Sequence, residues 1–134
     1  MKKLLLILAV LSLNGCALYD AYFMAKYDTT EHALVSKIRT MAEIGVDECK
    51  NQLKSEVTFN DIYYYSVELR NFTQYIPRND DTLKLATNIV ELSKQGKDSY
   101  AKDTKPSDMF CKLKLQQISR SAEIAQKVIG KKPR

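Results

Sequence analysis

The chain opens on a continuous apolar stretch and then changes rhythm. Leu4 to Leu13 (LLLILAVLSL) is broken only by Ser12, whereas from Val35 onward apolar residues recur at intervals of three and four. That spacing lines one face of an α-helix. A first stripe runs Val35, Ile38, Ala42, Val46, Cys49 and Leu53, widened by Leu34 and Met41, with Gly45 a weak point within it. Asp28-Thr29-Thr30-Glu31 ahead of it fits a helix start: an oxygen at the first position accepts from free backbone N–H groups, and a Glu three residues on can reach back. Thr58 begins a second stripe of Phe59, Ile62, Tyr65, Leu69, Phe72 and Ile76. Pro77 ends it, because the residue before a proline is pushed out of the helical region.

Asn79-Asp80-Asp81 caps a third, shorter helix with Leu85, Ala86, Ile89, Val90 and Leu92 on one side, and Gly96 is its stop signal. Residues 97–107 (KDSYAKDTKPS) read as a polar linker. Ser107 or Asp108 opens a fourth helix whose stripe is Cys111, Leu115, Ile118, Ala122, Ala125 and Ile129, ended by Gly130. Four amphipathic helices joined mostly by short turns predict an all-α fold, a small up-down-up-down four-helix bundle over residues 29–130. The scarcity of Gly (4) and Pro (3) agrees, since turn-rich β-folds use more of both. A length of 134 residues suits one domain.

The opening run is too short to span a bilayer, which takes about 20 apolar residues. It has the length of a signal-peptide core behind the positive Lys2-Lys3. The run ends in Leu13-Asn14-Gly15-Cys16, which resembles the lipobox of bacterial lipoproteins; Asn14 departs from the small or hydroxyl residue usual at its place. The resemblance covers residues 1–16. It implies that residues 1–15 are removed as a signal peptide, that the Cys16 sulfur receives a diacylglycerol, and that the new amino group receives a fatty acyl chain such as palmitate. Several chains together anchor a protein stably. In Gram-negative lipoproteins an Asp after the cysteine favours inner-membrane retention, so Ala17 implies the outer membrane, facing the periplasm, in such a host. Residues 16–28 then form a lipidated tether or helical extension. Its aromatic part, residues 17–27, either lies at the membrane–water interface or packs on the bundle.

Lipidation of Cys16 leaves Cys49 and Cys111, which in an oxidising compartment read as one disulfide. The predicted topology agrees independently: Cys49 lies about one turn from the end of the first helix and Cys111 about one turn into the fourth. Antiparallel alternation puts both at one end of the bundle.

The formal charge of +5 falls to +3 once Lys2 and Lys3 leave. That excess is too small for a nucleic-acid surface, which needs a basic stripe. The tail Lys131-Lys132-Pro133-Arg134, residues 131–134, reads as a solvated basic terminus. His32, the only histidine, is expected at an exposed position in the first turn of the first helix, with no metal-site spacing around it. Glu43 and Asp47 share a helix face as solvated charges. No Gly-rich phosphate loop and no nucleophile elbow occurs. These observations point away from catalysis, cofactors and a small-molecule substrate.

The tyrosines carry more information. At 100° per residue, Tyr63, Tyr64 and Tyr65 cannot share one core. Tyr65 belongs to the apolar stripe, whereas Tyr64 falls on the otherwise polar row Tyr64, Glu68, Asn71, Tyr75. Tyr64 and Tyr75 are therefore expected to be exposed. They either form a partner surface or lie flat on neighbouring helices. Three functions follow as expectations. The first is a non-catalytic protein-binding or adaptor lipoprotein, held at the membrane through Cys16 and engaging another envelope protein. The second is an immunity or exclusion lipoprotein of phage or plasmid type that blocks a specific envelope protein or toxin. The third is an enzyme of the peptidoglycan layer.

Overall fold

The computed structural model describes residues 24–134. Residues 1–23, which include Cys16 and the segment expected to be a signal peptide, lie outside the described residues. The described chain forms α1 (Thr29–Glu48), α2 (Gln52–Thr73), α3 (Asp80–Tyr100) and α4 (Asp108–Gly130). Helix starts follow their capping residues. Asp28 is extended, and its Oδ1 accepts from the backbone N–H of Thr30 at 2.8 Å and of Glu31 at 3.0 Å. Asn51 caps α2 through Lys54 N–H at 3.1 Å, and Ser107 caps α4 through Phe110 N–H at 3.2 Å. Each such bond satisfies a backbone donor that the helix itself leaves free.

α1 packs on α2 and α4, and α3 packs on the same two, so the four helices form a square bundle. The core draws on the predicted stripes: Val35, Ile38 and Ala42 from α1, Phe59, Ile62 and Leu69 from α2, Ala86 and Ile89 from α3, and the whole α4 stripe are fully buried, whereas Val46, Tyr65, Phe72, Ile76, Leu85 and Leu92 are half-buried. Cys49 and Cys111 are joined, with Sγ atoms 2.04 Å and Cα atoms 5.7 Å apart. The disulfide ties the end of α1 to the start of α4, as the alternating topology requires. No described helix is long and apolar enough to cross a membrane.

Three boundaries differ from the sequence reading. α2 starts at Gln52, not Thr58, because the turn at Cys49–Asn51 is only three residues long and closes through Asn51 N–H on Glu48 O at 2.8 Å. Leu53 therefore belongs to α2 and is 78% exposed, rather than completing the α1 stripe. α2 ends at Thr73, and the chain turns through Tyr75 N–H on Phe72 O before Pro77 is reached. α3 passes through Gly96 to Tyr100, which shortens the linker. Gly96 is a packing seat: a Cβ there would lie 2.1 Å from Phe59 Cδ1. The Phe59 ring occupies that space and stacks on buried Tyr100, with centroids 5.5 Å apart.

In the tail, Lys131 and Arg134 are exposed as expected, but Lys132 is not solvated. Lys132 is 6% exposed, and its Nζ lies 2.5 Å from Glu31 Oε2 and 2.5 Å from Asn79 Oδ1. Glu31 is fully buried; its Oε1 accepts from Asn79 Nδ2 at 2.6 Å and from Thr73 Oγ1 at 3.2 Å. The expected reach of Glu31 back to the first helix position is thus replaced by a network joining the starts of α1 and α3 to the ends of α2 and α4. Asn79, drawn into that network, makes no side-chain cap bond to α3. The chain just before α1 packs here too. Ala25 is buried, and Tyr27 N–H donates to Pro133 O at 2.9 Å. Of the two readings of residues 17–27, packing on the bundle holds for residues 24–27; residues 17–23 lie outside the described residues.

Candidate functional site

α2 buries Ser55, Phe59, Ile62, Ser66, Leu69 and Thr73. At 100° per residue, Leu53, Val57, Asn60, Tyr64 and Asn71 fall about 180° from the centre of that buried face. Tyr75, in the turn after the helix, continues the row. Four of these are large apolar or aromatic side chains facing solvent: Leu53 is 78% exposed, Val57 58%, Tyr64 66% and Tyr75 81%. Tyr64 and Tyr75 were expected to be exposed on sequence grounds, and both are. They line one shallow recess together with Val67, Glu68, Phe72 and Ile76. The Tyr64 ring stands edge-on to Tyr65, with centroids 5.3 Å apart at 85°.

Between Val57 and Tyr75 the outward charges of this face are Asp61 and Glu68, both exposed, and neither has an ion-pair partner among the described residues. Arg70 Nη2 donates to Asn71 Oδ1 of the row at 3.4 Å, and two lysines ride on aromatic rings at its flanks. Lys37 Nζ is 3.6 Å from the Tyr65 centroid and Lys97 Nζ is 5.1 Å from that of Tyr63.

Elsewhere some surface carboxylates are paired, while Asp47, Asp80, Glu91, Asp103 and Asp108 are exposed with no ion-pair partner among the described residues. On the α1–α4 face, Glu43 accepts from Arg39 Nε at 2.7 Å, and Glu123 accepts from Lys127 at 2.6 Å. The hydrogen bond from Lys127, followed by the charges of Lys127 and Arg39, holds the Glu123 carboxyl below its ordinary value. The bond to Glu43 raises Arg39. On α3, the Lys94 hydrogen bond lowers Asp98.

The remaining sequence candidates fall apart from this row. Cys49 and Cys111 serve the disulfide at the far end of the bundle. His32 is half-buried rather than exposed, with its ring 5.9 Å from that of Tyr27. Glu43 takes Arg39 as its partner, and Asp47 is exposed. Cys16 lies outside the described residues. Sequence reasoning missed Leu53 and Val57 as surface residues, because it started α2 six residues late. The signal that finds them is Asn51, a good capping residue one position ahead of Gln52.

Comparison with known proteins finds no matching family model, no matching curated protein and no matching solved structure.

Proposed function

We propose that the protein is a lipid-tethered, non-catalytic binding module of the bacterial outer membrane, facing the periplasm and engaging another envelope protein through the outward row of α2. The observation that carries the binding reading is the concentration of exposed Leu53, Val57, Tyr64 and Tyr75 on one row opposite the core. Exposed apolar patches of this kind mark interaction sites, and tyrosine offers large contact area for little loss of side-chain freedom.

The tether reading rests on Lys2-Lys3, the apolar run Leu4 to Leu13, and Leu13-Asn14-Gly15-Cys16. The chain enters the bundle beside Arg78 and Lys132, at the Tyr75 end of the row. An extended segment from Cys16 to Met24 reaches at most about 28 Å. On this reading the Tyr75 end lies nearer the membrane and Leu53 projects away from it.

The test is in-cell chemical crosslinking of the lipidated protein followed by affinity capture, with Tyr64→Ala/Tyr75→Ala alongside. A dominant partner lost in the variant is the expected result, and its identity separates an adaptor from an inhibitor of the immunity or exclusion type. Absence of any partner contradicts the reading. Cys16→Ser is expected to abolish fatty-acid labelling and membrane retention together; unchanged labelling contradicts the tether.

A further inference from the structure

Resting on the tether reading above, we infer that the end of the bundle at which the chain enters is a docking face for anionic phospholipid headgroups, which seats the bundle on the membrane surface. This end comprises residues 24–33, 69–84 and 126–134: the segment before α1, the turn between α2 and α3, the tail, and the adjoining five residues of each helix. These segments form one surface. Tyr27 N–H donates to Pro133 O at 2.9 Å, Arg134 Cζ lies 5.8 Å from the Tyr27 ring centroid, and Lys132 reaches Asn79. Together they carry eight basic and four acidic side chains. At the opposite end, residues 44–56 and 96–112, six basic side chains meet six acidic ones, and the stretch between the two ends holds five of each. The whole positive excess of the described residues therefore sits at the end where the chain from Cys16 arrives.

Lys26, Arg78, Lys131 and Arg134 are exposed there with no ion-pair partner among the described residues. The acidic groups are more occupied. Glu31 is buried against Lys132, Asp28 Oδ1 accepts from two backbone N–H groups of α1, and Asp81 lies 4.0 Å from Lys84. That leaves Asp80 as the exposed carboxylate of this end without an ion-pair partner among the described residues. Asp20 and an α-carboxylate on Arg134 lower the excess without reversing its sign.

The occupant follows from position and charge together. Cys16 lies eight residues before Met24, so a lipid there holds this end within about 28 Å of the bilayer. The opposite end is separated from it by the length of α4, 23 residues or about 35 Å. Each Lys or Arg at an anionic leaflet raises affinity about fivefold, and the attraction fades within a Debye length of about 8 Å. It therefore acts only on the face that touches the headgroups. An acidic protein segment matches the charge alone, whereas the tether also supplies headgroups at high local concentration.

The experiment uses the full chain as processed by its host cell, purified and reconstituted into vesicles of phosphatidylcholine, with or without about one third phosphatidylglycerol. A photo-crosslinking amino acid at Gln74 reports this end, and one at Thr104, in the α3–α4 loop, reports the other; both positions are exposed. Lipid adducts are expected from Gln74 in the phosphatidylglycerol vesicles, with background from Thr104. The Gln74 yield should fall at least about tenfold in phosphatidylcholine alone, and equally in Lys26→Gln/Arg78→Gln/Lys131→Gln/Arg134→Gln. It should hold in Lys50→Gln/Lys54→Gln/Lys102→Gln/Lys112→Gln, which removes the same charge from the opposite end. Equal Gln74 yield in the two vesicle types, equal labelling from Thr104, or an equal fall in the second variant overturns the inference. So does a Gln74 probe in cells that captures an acidic protein segment in place of phospholipid. The mass of the Cys16 peptide reports the tether separately. An unmodified Cys16 overturns the tether reading, and the same vesicle comparison, with protein added from solution, still decides the headgroup contact. Circular dichroism of each variant separates loss of contact from loss of fold.

Discussion

Lys132 places its ammonium 2.5 Å from the carboxylate of Glu31, a residue 101 positions earlier, and both side chains are almost wholly shielded from solvent, at 3% and 0% exposure. The pair closes the bundle at the end opposite the disulfide. With Asn79 and Thr73 it joins the starts of α1 and α3 to the ends of α2 and α4.

Removing one partner strands the other charge in a shielded site. Lys132→Met is expected to lower unfolding stability by about 3–5 kcal/mol. Glu31→Leu/Lys132→Met should be less damaging than Lys132→Met alone, but should not return to the parent value, because Thr73 and Asn79 lose their acceptor. Urea unfolding of the unlipidated chain measures this. A loss under about 1 kcal/mol for Lys132→Met contradicts the burial argument.

Gly96→Ala tests close packing against helix propensity. In an isolated helix the change gains about 1 kcal/mol. Here the added Cβ meets Phe59 Cδ1 at 2.1 Å, and Phe59 is fully buried with Tyr100 behind it. The expected result is a net loss of about 1–3 kcal/mol, seen as a lower thermal midpoint. A raised midpoint means the ring is free to shift.

Arg78 has φ of 61°, the left-handed region, and its side chain is exposed with no ion-pair partner among the described residues. Glycine occupies that region without the steric cost an L-residue carries there. Arg78→Gly is expected to raise stability by about 0.5 kcal/mol, after part of the gain is lost to the freer unfolded chain. A fall of more than 1 kcal/mol contradicts this.

The Cys49–Cys111 bridge closes a segment with a sequence separation of 62. In the chain-entropy model that constraint stabilises the fold by about 4 kcal/mol. Cys49→Ala/Cys111→Ala should therefore unfold at clearly lower denaturant. The parent should migrate faster without reductant than with it; equal mobility, with both thiols open to alkylation after denaturation, contradicts the bridge.

What the sequence made legible was whatever depends on near neighbours. The caps at Asp28 and Ser107, the buried stripes of α1 and α4, and the exposure of Tyr64 and Tyr75 follow from periodicity alone. Leu53 was misassigned because the turn at Cys49–Asn51 is short enough to keep the three–four spacing in phase from one helix into the next. Glu31 has a plausible local role as a cap, and only the fold brings Lys132 to it. Gly96 reads as a stop in isolation, since nothing local announces the Phe59 ring that fills its missing side chain.

The claim that the outward row of α2 is the working surface is tested most directly by a photo-crosslinking scan in cells, with the probe placed singly on each outer face: Thr40 on α1, Asn60 on α2, Lys84 on α3 and Arg120 on α4, all exposed. The account predicts a protein adduct from Asn60 and background from the other three. Adducts from Lys84 or Arg120 with none from Asn60 would contradict it.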